Sequence, residues 1–194
     1  LHLAPYRFTS HGDHYAFYHA KYVCSGHECE IGTANLDWSA FHKNREYLYV
    51  THNPSVVQAA NAVFNADWNN RRAPDFVHRV LVLSPGTSAD QLLQVINQPG
   101  PIDIESEELG PYAPILDALA AKGADLRLIL PSSINEEDQR DVAFLRAHGC
   151  QVRLLPVQPI YMHAKMIVGN SLAFIGSENF TQTSLEANRE MGLL

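Results

Sequence analysis

His19-Ala20-Lys21 and His163-Ala164-Lys165 place an imidazole and an ammonium two residues apart, twice in one chain. The copies are 144 residues apart (His19 to His163). At the same offset Ile31-Gly32 recurs as Ile175-Gly176, Asn35 as Asn179, and Asn44-Arg45-Glu46 as Asn188-Arg189-Glu190. Thr33 is answered by Ser177, which keeps the hydroxyl. An imidazole can attack an electrophile or donate a proton, and an ammonium or carboxamide can hold an oxygen as negative charge builds on it. A repeat kept only for packing would preserve its apolar pattern and let polar identities drift. Here the polar identities persist, which points to one site assembled from two matching halves.

The elements that must position these groups also come in pairs. Residues 15–24 and 160–168 are rich in aromatic and β-branched side chains and read as strands. Residues i and i+2 of a strand share a face, so His19 projects with Lys21 and His163 with Lys165. Each strand runs into a turn, Ser25-Gly26-His27 or Gly169-Asn170-Ser171, and then a short second strand ending at Gly32 or Gly176. Thr33 and Asn35, like Ser177 and Asn179, fall just past a strand end, where side chains reach into a cleft. Glu46 and Glu190 open two further apolar stretches, 47–50 and 191–194.

The duplicated pattern resembles the phospholipase D superfamily, whose signature is His-x-Lys, four residues, Asp, then Gly-Ser-x-Asn, present twice. Here it reads His19-Ala20-Lys21 with Gly32-Thr33-Ala34-Asn35, and His163-Ala164-Lys165 with Gly176-Ser177-Glu178-Asn179. The signature Asp position holds Gly26 in the first copy and Asn170 in the second. In the family that Asp braces the loop more than it acts on substrate, so the resemblance implies that its loss is tolerable. The resemblance covers most of the chain and implies a layered α/β/α fold of two pseudo-symmetric repeats, the first incomplete. It also implies phosphodiester chemistry.

A phosphodiester is an anion with a poor alkoxide leaving group. Its site must neutralise charge, supply a nucleophile and donate a proton. One imidazole can attack phosphorus to form a phosphohistidine while the other protonates the departing oxygen. By analogy with the family, His19 is the nucleophile and His163 the acid. Lys21, Lys165, Asn35 and Asn179 can hold the non-bridging oxygens, an arrangement that replaces a metal ion, so no metal or cofactor is expected. Glu46 and Glu190 are the candidates to bond each Nδ1–H and leave Nε2 free to react, as the family pattern also implies. Thr33 and Ser177 are expected to contact substrate. Water or an alcohol then attacks the phosphohistidine, giving hydrolysis or phosphatidyl transfer.

Composition narrows the substrate. A chain of 194 residues with 46% hydrophobic content can bury a substantial core. No stretch approaches the ~20 uninterrupted apolar residues of a transmembrane segment, although contact with a membrane surface would suit a lipid substrate. The net charge of −7 offers no global attraction to nucleic acid, which favours a phospholipid diester. A metal-independent nuclease of the same superfamily is the alternative. A non-catalytic lipid- or nucleic-acid-binding module, motivated by Gly26 and Asn170, is a third reading.

Between the motifs, Asn53-Pro54 reads as an N-cap with Pro at the first helical position, and Val56, Val57, Ala60, Val63 and Phe64 follow helical spacing. Residues 69–74 form a polar joint. Residues 77–83 read as a buried strand, 88–97 as a helix, 102–107 as a strand, 114–122 as a helix, 126–130 as a strand, 136–148 as a helix and 152–155 as a strand. This alternation argues for an α/β domain with a mixed or parallel sheet. Residues 1–76 read as the C-terminal part of a first repeat and 77–194 as a second repeat without its last helix. The chain is therefore expected to be an internal fragment of a longer two-repeat protein.

Other polar residues have plainer readings. His11 and His14 form a pair with metal-ligand chemistry, but an isolated loop cluster is more often polar surface. Glu105 and Glu107 share one face of a strand and either border the cleft or anchor the surface. Cys24 and Cys29 flank the first turn as cross-strand neighbours, either packed as thiols or bonded. With Cys150 left over, the cysteines leave the compartment open.

Overall fold

The computed structural model describes residues 18–69 and 71–194. His11, His14 and the start of the strand expected from residue 15 lie outside them.

Each copy of the motif builds an antiparallel hairpin. In the first, β1 (Tyr22–Cys24) pairs with β2 (Cys29–Gly32). After a short helix α1 (Trp38–His42) and strand β3 (Asn44–Arg45), β4 (Leu48–Thr51) adds to β2 and completes a three-stranded sheet. Helix α2 (Pro54–Trp68) follows, with Asn53 Oδ1 accepting the Ser55 N–H as its cap. A 3-10 turn at Asp75–Arg79 leads to the second copy.

That copy is a seven-stranded sheet. Its members in chain order are β5 (Val82–Ser84), β6 (Ile102–Ser106), β7 (Leu126–Pro131), β8 (Gln151–Leu155), β10 (Lys165–Val168), β11 (Ala173–Gly176) and β12 (Glu190–Leu193). Strand β9 (Tyr161–Met162) instead pairs in parallel with β3. The spatial order is β5-β12-β11-β10-β6-β7-β8, with β6, β7 and β8 parallel and the other pairs antiparallel. The sheet is therefore mixed and the class is α/β. The hairpins superpose residue for residue in register: Tyr22 faces Ile31 as Met166 faces Ile175, and Cys24 faces Cys29 as Val168 faces Ala173.

Helices α3 (Ser88–Ile96), α4 (Ala113–Lys122), α5 (Glu136–Ala147) and α6 (Gln182–Glu186) bury one face of this sheet. Leu92, Ile104, Leu119, Leu128, Phe174 and Leu185 meet there. On the opposite face Leu83, Met191 and Leu193 join Ile31, Val57, Ala60 and Val63. The second core thus fuses α2 and the hairpin of the first copy to the sheet of the second. Burying a side chain of the Leu or Ile class is worth about 1.5–3 kcal/mol, so this shared core holds the two motifs in a fixed relation.

Two expected strands are corrected. Residues 77–83 are not one strand. Pro74 accepts the Val77 N–H to start a 3-10 turn, and only Val82–Ser84 pairs, as an edge strand on β12. Val77 and Leu81 are buried from the turn itself, so their apolar spacing resembled a strand. The strand expected over 160–168 breaks at His163-Ala164, because its first part pairs with β3 and its second with β6 and β11. The first copy breaks in the same way, with Tyr18 bridged to Arg189 and β1 starting only at Tyr22.

Candidate active site

Each histidine occupies such a break and is held by the main chain of the other copy. The N–H groups of His19 and Ala20 donate to the Arg189 carbonyl at 2.9 and 2.8 Å, and the His163 N–H donates to the Arg45 carbonyl at 3.3 Å. The bridges Arg45↔Met162 and Tyr18↔Arg189 are equivalent under the repeat offset. The motifs are thus woven together about a pseudo-two-fold relation.

The glutamates are exchanged as well. Glu190 lies 3.0 and 2.9 Å through its two oxygens from Nδ1 of His19, and Glu46 Oε1 lies 2.7 Å from Nδ1 of His163. The second contact is short but off the line of the ring N–H, so it is a close approach rather than an aligned hydrogen bond. The Thr33 hydroxyl donates to Glu46 Oε2 and the Ser177 hydroxyl to Glu190 Oε2, each at 2.6 Å. The carboxamides of Asn44 and Asn188 donate to the same glutamates at 3.1 and 3.2 Å, and Ser184 adds a bond to Glu190 at 2.7 Å. Glu190 is completely buried, and these donors take the place of water around its carboxyl group.

Thr33 and Ser177, expected as substrate contacts, are themselves fully buried and bonded to the glutamates. Each also accepts a main-chain N–H, from Tyr47 and Met191, closing the same loop in both copies. Asn44 and Asn188 were legible only as repeated residues; their place beside a repeated Glu was the available signal. Ser184 has no polar counterpart, since Ala40 stands at the equivalent position.

The lysines fold back on their own motifs. Lys21 Nζ donates to the His19 carbonyl at 2.6 Å and Lys165 Nζ to the His163 carbonyl at 2.7 Å. Burial lowers the Lys21 ammonium from its ordinary 10.5 to about 8, with Lys165 adding to the effect and Glu190 and Glu107 opposing it. Asn35 and Asn179 occupy matching positions past β2 and β11, the first partly buried and the second buried.

Glu107 and Glu108 also reach the site. They follow the last residue of β6, at the carboxyl end of a parallel strand, where α/β sheets commonly bind ligands. Glu107 Oε2 lies 2.7 Å from Lys165 Nζ and 3.3 Å from His163 Nε2, while Glu108 Oε2 accepts from the Asn179 carboxamide at 3.0 Å. Burial pushes the Glu107 carboxyl up, but Lys165 and His163, with a contribution from His19, outweigh it and hold Glu107 below the usual carboxylate range. Burial and the charge on Glu107 raise Glu108. Glu105 and Glu107 do not act together: Glu105 lines a groove with Tyr47 and Arg127. Alternation ends with the strand, which frees Glu107 to turn into the site.

The two signature Asp positions lie at the far ends of the hairpins, where other groups brace the turns. The Ser25 hydroxyl accepts the N–H groups of His27 and Glu28, both at 3.1 Å. Gln98 Oε1 accepts the N–H groups of Ser171 and Leu172 at 2.7 and 2.8 Å. Cys24 and Cys29 are joined by a disulfide, with Cα atoms 4.1 Å apart, and Cys150 is a buried free thiol. No helix among the described residues is long and apolar enough to cross a membrane.

Comparison with known proteins bears on the family and the fold. A family model described as "Cardiolipin synthase, PLD-like domain" matches residues 4–68 and 102–194. Among solved structures, polyphosphate kinase from Porphyromonas gingivalis aligns with a TM-score of 0.62 at 13% identity, over 91% of this chain and 30% of the kinase chain. Nuc from Salmonella typhimurium, a phospholipase D family member, is 18% identical over 58% of this chain and 79% of its own, with a TM-score of 0.49. NucT from Helicobacter pylori is 19% identical over 58% and 81%, with a TM-score of 0.47. No curated protein matches the chain at a significant level. At these identities the kinase likeness speaks to the fold alone. The family match spans both copies of the motif, including both histidines and both glutamates, and this chain belongs to the phospholipase D-like superfamily.

Proposed function

We propose that the protein is a phosphodiesterase or phosphatidyltransferase that cleaves phospholipid diesters through a phosphohistidine. The observation that carries this reading is the exchange of glutamates: Glu190 on His19 and Glu46 on His163. A carboxylate at Nδ1 fixes the tautomer and presents Nε2 to substrate. His19 Nε2 attacks phosphorus, the bond to the leaving oxygen breaks, and His163 gives that oxygen its proton. Water or an alcohol then attacks the phosphohistidine while His163 takes a proton back, which restores both rings. Lys21, Lys165, Asn35 and Asn179 hold the non-bridging oxygens as charge accumulates. Thr33 and Ser177 act by holding Glu46 and Glu190.

The test is an assay with chelator present, on phosphatidylcholine and on single-stranded DNA, with acid-quench trapping of the phosphoenzyme. Choline release with a trapped phosphohistidine supports the reading. Nicked DNA without choline release replaces it with a nuclease. Neither product, with retained lipid or DNA binding, replaces it with a binding module.

A further inference from the structure

His163 carries a carboxylate at each ring nitrogen: Glu46 Oε1 at 2.7 Å from Nδ1 and Glu107 Oε2 at 3.3 Å from Nε2. Neither contact is aligned as a hydrogen bond, so the ring is bracketed by two carboxylates rather than bonded to them. The same Glu107 oxygen sits 2.7 Å from Lys165 Nζ, and its other oxygen accepts from the Tyr161 hydroxyl at 3.3 Å. Next to it, Glu108 occupies the Asn179 carboxamide. These donors, His163 Nε2, Lys165 and Asn179, are the ones assigned above to the phosphate. A carboxylate resembles a phosphate edge in charge and in oxygen spacing.

We propose that Glu107 is a positioning residue: in the free protein it keeps on His163 the proton that the leaving group later takes, occupying the phosphate's place until substrate displaces it. The inference rests on the phosphodiesterase reading and deepens it, because it assigns the acid role to His163 from geometry rather than from analogy. The charged groups around the ring and its neighbours are Glu46, Glu107, Glu108 and Glu190 on the negative side and Lys21, Lys165 and His19 on the positive side. The burial of Lys165, 1% exposed, limits how far water can replace Glu107 there. The loop beyond is anchored by buried Leu109 and by the Gly110 N–H on Asp138, so displacement is a swing of the side chain.

The experiment compares wild type with Glu107→Gln on two lipids that differ only in the leaving group, phosphatidylcholine and phosphatidyl-4-nitrophenol. Nitrophenolate leaves without a proton, whereas choline alkoxide needs one. Glu107→Gln is expected to lower kcat/KM for phosphatidylcholine at least ~10-fold more than for the nitrophenyl lipid, within the range of lost acid catalysis. An equal loss on both lipids, or no loss on either, overturns the proposal. Ring 15N spectra of His163 without substrate decide the point independently of turnover. Both nitrogens protonated near neutral pH in wild type, with one proton lost in Glu107→Gln, supports it; identical spectra overturn it. If wild type cleaves neither lipid, the phospholipid reading fails, while the spectra still decide the hold of Glu107 on the proton.

Discussion

Glu46 and His163 are 117 positions apart in the chain and 2.7 Å apart in space. Glu190 and His19, separated by 171 positions, make the reciprocal pair. Neither motif therefore contains a complete His–Glu unit; each supplies the carboxylate that orients the other's imidazole. Activity should depend on both glutamates to a similar degree but through different steps. Glu190→Gln should cut the rate of phosphoenzyme formation on any diester, because the proposed mechanism makes His19 the nucleophile. Glu46→Gln should cut turnover chiefly on diesters with alkoxide leaving groups. Losses of about 10²–10⁴-fold are expected for a mis-set tautomer or lost acid. Stopped-flow and acid-quench measurements on alkyl and nitrophenyl lipids separate the two, and equal behaviour of the variants on both lipids would contradict the division.

The histidines themselves give a sharper contrast. His163→Ala should still form phosphohistidine from phosphatidyl-4-nitrophenol, and His19→Ala should form none. The measurement is a radiolabel retained on protein after acid quench. Label kept in His19→Ala and lost in His163→Ala would reverse the assignment.

Lys21 sets a pH dependence of its own. Its ammonium loses charge near pH 8 in the folded protein and near 10.5 when unfolded. In the proposed mechanism the charge on Lys21 stabilises the transition state, so kcat/KM for the nitrophenyl lipid, which needs no acid, should fall as pH rises through about 8. Lys21→Arg should move that fall to higher pH. Stability runs the other way. A buried lysine that binds its proton more weakly when folded costs stability wherever the unfolded chain holds that proton. The cost is full below about pH 8 and fades as pH rises towards 10.5. Lys21→Met should therefore unfold later at pH 7, by a margin on the order of 3 kcal/mol, while losing activity. Denaturation midpoints at pH 7 and pH 10 measure it, and the gain should shrink at the higher pH.

The duplicated residues were legible because a repeat multiplies weak signals. One His-x-Lys means little, but the offset that links His19 to His163 also links Asn35 to Asn179 and Glu46 to Glu190. Helix α2 announced itself through Asn53, Pro54 and its apolar face. What stayed hidden was everything set by contacts between the copies. The repeat picks out both glutamates but not which histidine each one meets, and the paired β3 and β9 show the exchange. The strand breaks at His19 and His163 were hidden for the same reason, since local propensity reports no change of partner strand. Glu107 and Glu108 left only a faint signal, because strand spacing grouped Glu107 with Glu105 and did not show its turn into the site. Thr33 and Ser177 were legible as site residues, but their burial and hydroxyl direction, and so their bonding to glutamates, required the fold.

Arg45 and Arg189 hold the same place in the two motifs and should differ sharply in energetic weight. Arg189 is 4% exposed and forms a two-pronged pair with Asp67 of α2, through Nε and a terminal nitrogen at 3.0 Å each, and it also donates to the Ser84 carbonyl at 3.2 Å. Its own carbonyl accepts from His19 and Ala20, so the pair ties α2 to the nucleophile's main chain. Arg45 is exposed, although its carbonyl plays the matching part for His163. Removing one partner of a buried pair leaves the other charge without its counter-ion. Asp67→Ala should therefore cost about 3–5 kcal/mol. Arg45→Ala, which leaves the main-chain carbonyl in place, should fall within about 0.5 kcal/mol of wild type. Urea denaturation of both variants is the measurement. Similar midpoints for the two would show that the Asp67–Arg189 pair does not anchor His19. A large loss confined to Asp67→Ala, accompanied by slower phosphoenzyme formation in the fraction that remains folded at low urea, would show that it does.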